Sequence, residues 1–211
     1  MKELHKLDNY DFDTLKSFIN NSIEESQYIE FKSGEALSKK DAHKKEISKD
    51  VSAFANSDGG IIIYGISEKN HKADSFSFID GNTFNEEWLE QIISSTINRN
   101  IPDLKIYPVR KSGNLKETLY VVQIPSSIEA PHMCREKRFY RRAQFESVIM
   151  EEYEIRQLYG RKVKSDLFLR GFSIGLDESN DDDKFCFKCE TGVINEGEKL
   201  EKDYKINVYF S

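Results

Sequence analysis

Residues 46–68 read Glu46-Ile-Ser-Lys-Asp-Val-Ser-Ala-Phe-Ala-Asn-Ser-Asp-Gly-Gly-Ile-Ile-Ile-Tyr-Gly-Ile-Ser-Glu68. A helix, a turn and a buried strand follow one another in this run without a break. Ile47, Val51 and Phe54 are spaced i, i+4, i+7, the apolar stripe of an amphipathic helix. Residues 56–60 stop that helix, because Asn and Gly accept the left-handed conformation of a C-cap. Residues 61–66 are nearly all apolar and rich in β-branched side chains, which predicts a strand buried on both faces. Gly65 inside it predicts close approach of another backbone or a ligand. Glu68 follows where the strand leaves the core.

Upstream, Phe12, Leu15 and Ile19 mark a short helix. Residues 28–32 alternate, with Ile29 and Phe31 on one face and Tyr28, Glu30 and Lys32 on the other, as in a half-buried strand. Residues 33–40 are a polar connection. Downstream, residues 69–75 read as a polar loop. Leu89, Ile92, Ile93, Thr96 and Ile97 define another amphipathic helix, which Pro102 keeps from continuing. Residues 104–109 and 118–124 form a hairpin around Lys111-Ser112-Gly113-Asn114. Residues 138–142 are a short basic-aromatic strand, and residues 150–159 a last helix. This mixture predicts an α+β fold, a mixed sheet with flanking helices.

The net charge of −6 is unevenly spread. Residues 1–165 hold 25 Lys and Arg against 26 Asp and Glu, whereas residues 166–211 hold 6 against 11. The sequence therefore divides into a domain over residues 1–163 and a β-rich C-terminal segment over residues 166–211. Strands at residues 167–174, 184–193 and 204–210 around an acidic turn at 177–183 suit part of a β-sandwich. No apolar run approaches the roughly 20 residues of a membrane span. Residues 1–21 lack the apolar core of a secretory signal, and the 3 cysteines cannot all pair. A cytoplasmic protein without a membrane partner is expected.

Two groups of residues carry chemistry. Glu30 and Lys32 leave the same face of their strand, Glu25 precedes it and Glu68 ends another. If the strands are neighbours, three carboxylates and an ammonium converge, and clustered carboxylates suit Mg²⁺ or Mn²⁺. Such an ion activates water and stabilises charge on a phosphoryl group. Spacing alone favours scattered surface acids over a metal site. The second group is Arg135, Lys137, Arg138, Arg141 and Arg142 around Phe139 and Tyr140. Cations hold phosphates and aromatic faces stack on bases, but a charged edge strand has the same composition. Lys45 and Lys49 belong to a further basic run. Cys186 and Cys189 have metal-like spacing without a second pair, and His132 with Cys134 is no stronger, so zinc is not expected. No glycine-rich phosphate loop is present.

Glu25-Ser26, Ile29-Glu30-Phe31-Lys32 and the Phe-Ala-Asn-Ser-Asp-Gly-Gly run of residues 54–60 resemble the Schlafen-type Alba-like domain. Ala130-Pro131-His132, residues 139–142 and residues 154–158 resemble its closing segments, so the resemblance spans residues 18–162. It implies nucleic-acid binding, and in some members endoribonuclease cleavage of structured RNA such as tRNA at three carboxylates with Mg²⁺ or Mn²⁺. Glu25, Glu30 and Glu68 match those acids, with Lys32 at the scissile phosphate. Lys45, Lys49, Arg138, Tyr140, Arg141 and Arg142 are the expected nucleic-acid contacts. The alternative is a non-catalytic DNA- or RNA-binding regulator, in some members described as ATP-binding. Animal members join two lobes around RNA; this chain has one, so a homodimer is expected.

Overall fold

The computed structural model describes residues 4–161, 167–176, 187–196 and 205. Two compact units emerge, Met1–Tyr159 and Gly160–Ser211. The first is built on a four-stranded sheet with the order β1 (Ile29–Lys32), β2 (Gly59–Tyr64), β6 (Thr118–Pro125), β5 (Lys105–Arg110). β1 runs parallel to β2, and the other pairs are antiparallel, so the sheet is mixed. This is the expected α+β fold.

The unbroken apolar run of β2 has a direct cause. Ile62 and Tyr64 point into a core with Ile47, Val51 and Phe54 of α2 (Asp41–Ala55) and Leu89, Ile92 and Ile93 of α3 (Glu86–Thr96). Ile61 and Ile63 point the other way, against Leu15 and Phe18 of α1 (Phe12–Asn20) and Ile66 of β3 (Ile66–Lys69). Ile61, Ile62 and Ile63 are fully buried, which stabilises the fold by roughly 1.5–3 kcal/mol per side chain. The helices start where side chains can replace missing backbone partners. Asp11 accepts from Thr14 N at 2.7 Å, and Asn85 accepts from Trp88 N at 3.0 Å.

The turn between α2 and β2 departs from expectation. Asn56 is right-handed, with φ −77°; the reversal falls instead on Gly59 and Gly60, with φ 74° and 152°. Asn56 is buried and acts through its amide. Its Nδ2 donates to His132 O and to Tyr140 O, both at 2.9 Å, and its Oδ1 accepts from His132 N at 2.6 Å. Next to it, Ser57 Oγ accepts from Arg142 N at 2.9 Å. The end of α2 thus holds the strand β7 (Tyr140–Ala143). Asn56→Ala would leave three backbone groups without partners, and unfolding in urea should show a loss of about 2–3 kcal/mol; an unchanged midpoint would contradict this role.

Gly65 does mark a close approach. Its φ is 103°, and a Cβ there would lie 2.5 Å from Leu119 Cδ2. It separates β2 from β3, so the single expected strand becomes two. The expected loop over residues 69–75 is also corrected: β3 pairs with β4 (Lys72–Phe76) as a tight hairpin. Asn70 and His71 at its tip have φ 54° and 59°, the turn geometry that matches the twist of a two-residue hairpin. A bulge lies between Ser67 and Glu68. A second hairpin, β7 with β8 (Glu146–Ile149), turns at Gln144 and Phe145. α4 (Glu152–Arg161) follows.

In the second unit, β9 (Leu167–Leu176) and β10 (Phe187–Asn195) form an antiparallel hairpin. The expected strand at 204–210, the acidic turn at 177–183 and Cys186 lie outside the described residues. Among the described residues, no helix is long and apolar enough to cross a membrane.

Candidate metal and nucleic-acid site

The parallel pairing of β1 with β2 brings β1 beneath α2, and Glu30 and Lys32 meet that helix. Lys32 Nζ lies 2.7 Å from Glu30 Oε1 and 3.2 Å from Asp50 Oδ2. Asp50 is buried on α2, and its Oδ1 accepts from Ser147 Oγ at 3.0 Å. Arg142 NH2 closes the cage, 2.7 Å from Glu30 Oε2. That contact is ionic rather than an aligned hydrogen bond, because no donor is directed onto Glu30 Oε2. The Arg142 guanidinium also lies over the Phe54 ring, 4.5 Å from its centroid.

Burial pushes the Glu30 carboxyl above its usual range, with Lys32 and Arg142 opposing the shift. Burial alone would push Lys32 down, but the carboxylates of Asp50 and Glu30 outweigh it and hold the ammonium well above its usual range.

Beside the cage is an open pocket of about 660 Å³ lined by Glu25, Glu30, Lys32, Glu68, His71 and Phe145, among others. Glu25 is buried just ahead of β1, with Oε1 accepting from Phe31 N at 3.0 Å. The bulge in β3 re-aims Glu68 at the point where the strand leaves the sheet, a common use of bulges near sites. His71 sits between the two acids. Its Nδ1 is 3.0 Å from Glu25 Oε2, and its backbone N–H donates to Glu68 Oε2 at 2.7 Å. The imidazole stacks on Phe145, with centroids 4.8 Å apart. The bond to Glu25 raises the pKa of His71, with desolvation opposing it. One ligating atom from each of Glu25, Glu68 and His71 lies within 4.8 Å of the others.

The four expected catalytic residues thus share one pocket, but they divide in two. Glu25 and Glu68 come together; Glu30 and Lys32 are engaged in the adjoining cage. His71, Phe145 and Asp50 were missed from sequence. Asp50 had a signal, since it sits on the Ile47, Val51, Phe54 stripe, where a charge requires a partner.

The expected nucleic-acid contacts also divide. Arg138 is exposed, beside exposed Arg135 and Lys137. Arg135 NH2 lies 2.6 Å from Asp41 Oδ1, which brings this turn next to Lys39 and Lys40 at the start of α2. Arg141 is partly exposed and paired with Glu154 at 2.6 Å. Lys45 lies 3.9 Å from both Asp41 and Glu136, and Lys49 pairs with Glu46. Two placements are corrected. The Arg142 side chain is 1% exposed inside the cage, and Tyr140 is buried against Ala53 and Cys134. Neither faces solvent as a nucleic-acid contact must. His132 is fully buried, its Nε2 2.7 Å from Ser127 Oγ and its Nδ1 3.3 Å from Arg99 O. Burial lowers its pKa.

The family model described as Schlafen, AlbA_2 matches residues 25–151, more than half of the chain. Among solved structures, the chain is similar to the DIP2311 protein from Corynebacterium diphtheriae, at 16% identity and a TM-score of 0.47. That match covers 70% of this chain and 31% of the other, so the chain spans less than a third of that protein's length. No curated protein matches.

Proposed function

The chain belongs to the Schlafen AlbA_2 family, and from that premise we propose that it is a divalent-cation-dependent endoribonuclease acting on structured RNA such as tRNA. Membership carries a nucleic-acid-related function; cleavage is the finer reading. The observation that carries it is the pairing of Glu25 and Glu68 in one open pocket beside a charged lysine. Two carboxylates with an adjacent imidazole form a donor set that suits a divalent ion. Glu25 and Glu68 would hold it. When bound, such an ion supplies an activated water and neutralises charge on a phosphoryl group.

The chain's own groups have separate tasks. Lys32 has three N–H donors and spends two of them on Glu30 and Asp50. The third is left for an oxygen of the scissile phosphate. Glu30 does not face the ion in this reading; it fixes Lys32 and is itself fixed by Arg142. Arg138, Lys137, Lys39 and Lys40 offer exposed charge to the RNA backbone, and Arg141, Lys45 and Lys49 add partly exposed charge. A-form RNA is read through its shape and phosphates, which such a surface suits. A homodimer would double that surface.

A second reading has one observation in its favour. The oxygens of Glu30 are taken by Lys32 and Arg142, so the third expected acid is not free. A protein that binds RNA or DNA without cutting would tolerate this. Incubating the full chain with tRNA in Mn²⁺, Mg²⁺ or EDTA separates the two. Products that require the metal support the nuclease. Salt-sensitive binding with no products in either metal supports the binding protein.

A further inference from the structure

We infer that His71 is a ligand of the cation site together with Glu25 and Glu68, and that the site therefore prefers a first-row transition ion such as Mn²⁺ to Mg²⁺. The inference rests on the metal-site reading above and identifies its third donor and its selectivity.

Three features place an imidazole nitrogen at the site. The first is the turn. Asn70 and His71 both have positive φ, the geometry of a two-residue hairpin turn that places His71 at the tip. Two backbone bonds then tie that tip to the acids: His71 N–H donates to Glu68 Oε2, and Glu25 N–H donates to His71 O, both at 2.7 Å. The second is the ring's support. Phe145, at the tip of the β7–β8 hairpin, stacks on the imidazole and restricts its rotation. The third is the ring's direction. Nδ1 faces Glu25 Oε2 at 3.0 Å, so a cation placed there would lie between a nitrogen and two carboxylates that already converge.

Glu30 cannot readily take this place. One of its oxygens is held by Lys32 and the other by Arg142. Moving it would leave a buried guanidinium without its anion. The donor set becomes two carboxylates and one imidazole. Mg²⁺ strongly favours oxygen donors and near-ideal octahedral geometry, and it gives up water reluctantly. Imidazole shifts preference toward transition ions, of which Mn²⁺ also keeps its affinity for carboxylates.

The test reads the metal rather than the reaction. Mn²⁺ is added to the full chain at less than one equivalent and studied by pulsed electron paramagnetic resonance. Modulation from a directly bound ¹⁴N is expected in the wild type. It should persist in His43→Gln, which removes the other pocket imidazole, and vanish in His71→Gln. The same His71→Gln change should weaken Mn²⁺ binding by at least about 10-fold, the lower end of what loss of a group supporting a metal ligand costs, and narrow the preference over Mg²⁺. Bound Mn²⁺ without ¹⁴N modulation would overturn the role of His71 and leave the carboxylate site standing. Modulation lost in His43→Gln instead would also overturn it. Failure to bind Mn²⁺ at millimolar concentration would overturn both this inference and the metal-dependent reading on which it rests.

Discussion

Glu25→Gln and Glu68→Gln are each expected to lower metal-dependent RNA cleavage by at least about 100-fold, the upper end of what loss of a supporting group around a metal ligand costs. The substitutions keep shape and remove charge. In Glu25→Gln the amide oxygen can still accept from Phe31 N, so the bond that holds the residue ahead of β1 survives. Glu68 is exposed, and its exchange disturbs no core. Thermal melts should therefore stay close to wild type while the single-turnover rate falls. Glu30→Gln should behave differently. It removes the anion shared by Lys32 and Arg142, so it should lower stability as well as activity. If Glu25→Gln and Glu68→Gln both cut at the wild-type rate, the chemistry lies elsewhere.

Arg142→Met should destabilise the fold by about 3–5 kcal/mol, the usual cost of removing one partner of a buried ion pair. Methionine fills much of the space over Phe54 but leaves Glu30 with only Lys32. The β7–β8 hairpin would lose its ion pair with Glu30 of β1 and its bond to the segment ahead of that strand, where Arg142 NH2 donates to Ser26 O at 3.2 Å. Urea unfolding measures the loss. RNA affinity, referred to folded protein, should fall far less than on loss of exposed Arg138, because a side chain 1% exposed cannot itself reach a phosphate and acts only through Glu30 on Lys32. Full stability with weakened RNA binding would reverse the assignment and return Arg142 to the surface.

That residue also shows where sequence and structure part. Residues on a strand alternate between faces, so Tyr140 and Arg142 share a face and Arg141 takes the other. The sequence reading put all three on the nucleic-acid surface, which a single strand cannot do. Alternation was available from the start; which face turned inward was not, because it depends on Asn56 and Ser57, more than 80 residues away in the chain. Ile61, Ile62 and Ile63 were legible for the opposite reason: a strand covered on both faces needs no knowledge of its neighbours to be recognised as buried.

The site was legible in part. Glu25 and Glu68 fall together as their positions around β1 and β3 suggested. Glu30 was assigned to the same task because spacing on β1 shows the face it shares with Lys32 and not the partners waiting there. His71 was hidden by the turn. Asn-Gly is the familiar signal for a two-residue hairpin, and Lys69-Asn70-His71-Lys72 lacks the glycine, so its short polar strands read as loop. Asp50 was the missed opportunity, a buried charge on an apolar stripe whose partner, Lys32, had already been singled out.

The most direct test of the account is an anomalous difference map from crystals of the full chain soaked in Mn²⁺. The account predicts a peak in the pocket in contact with Glu25 and Glu68. A map with no peak there, or with manganese held only at other surface carboxylates, would contradict it.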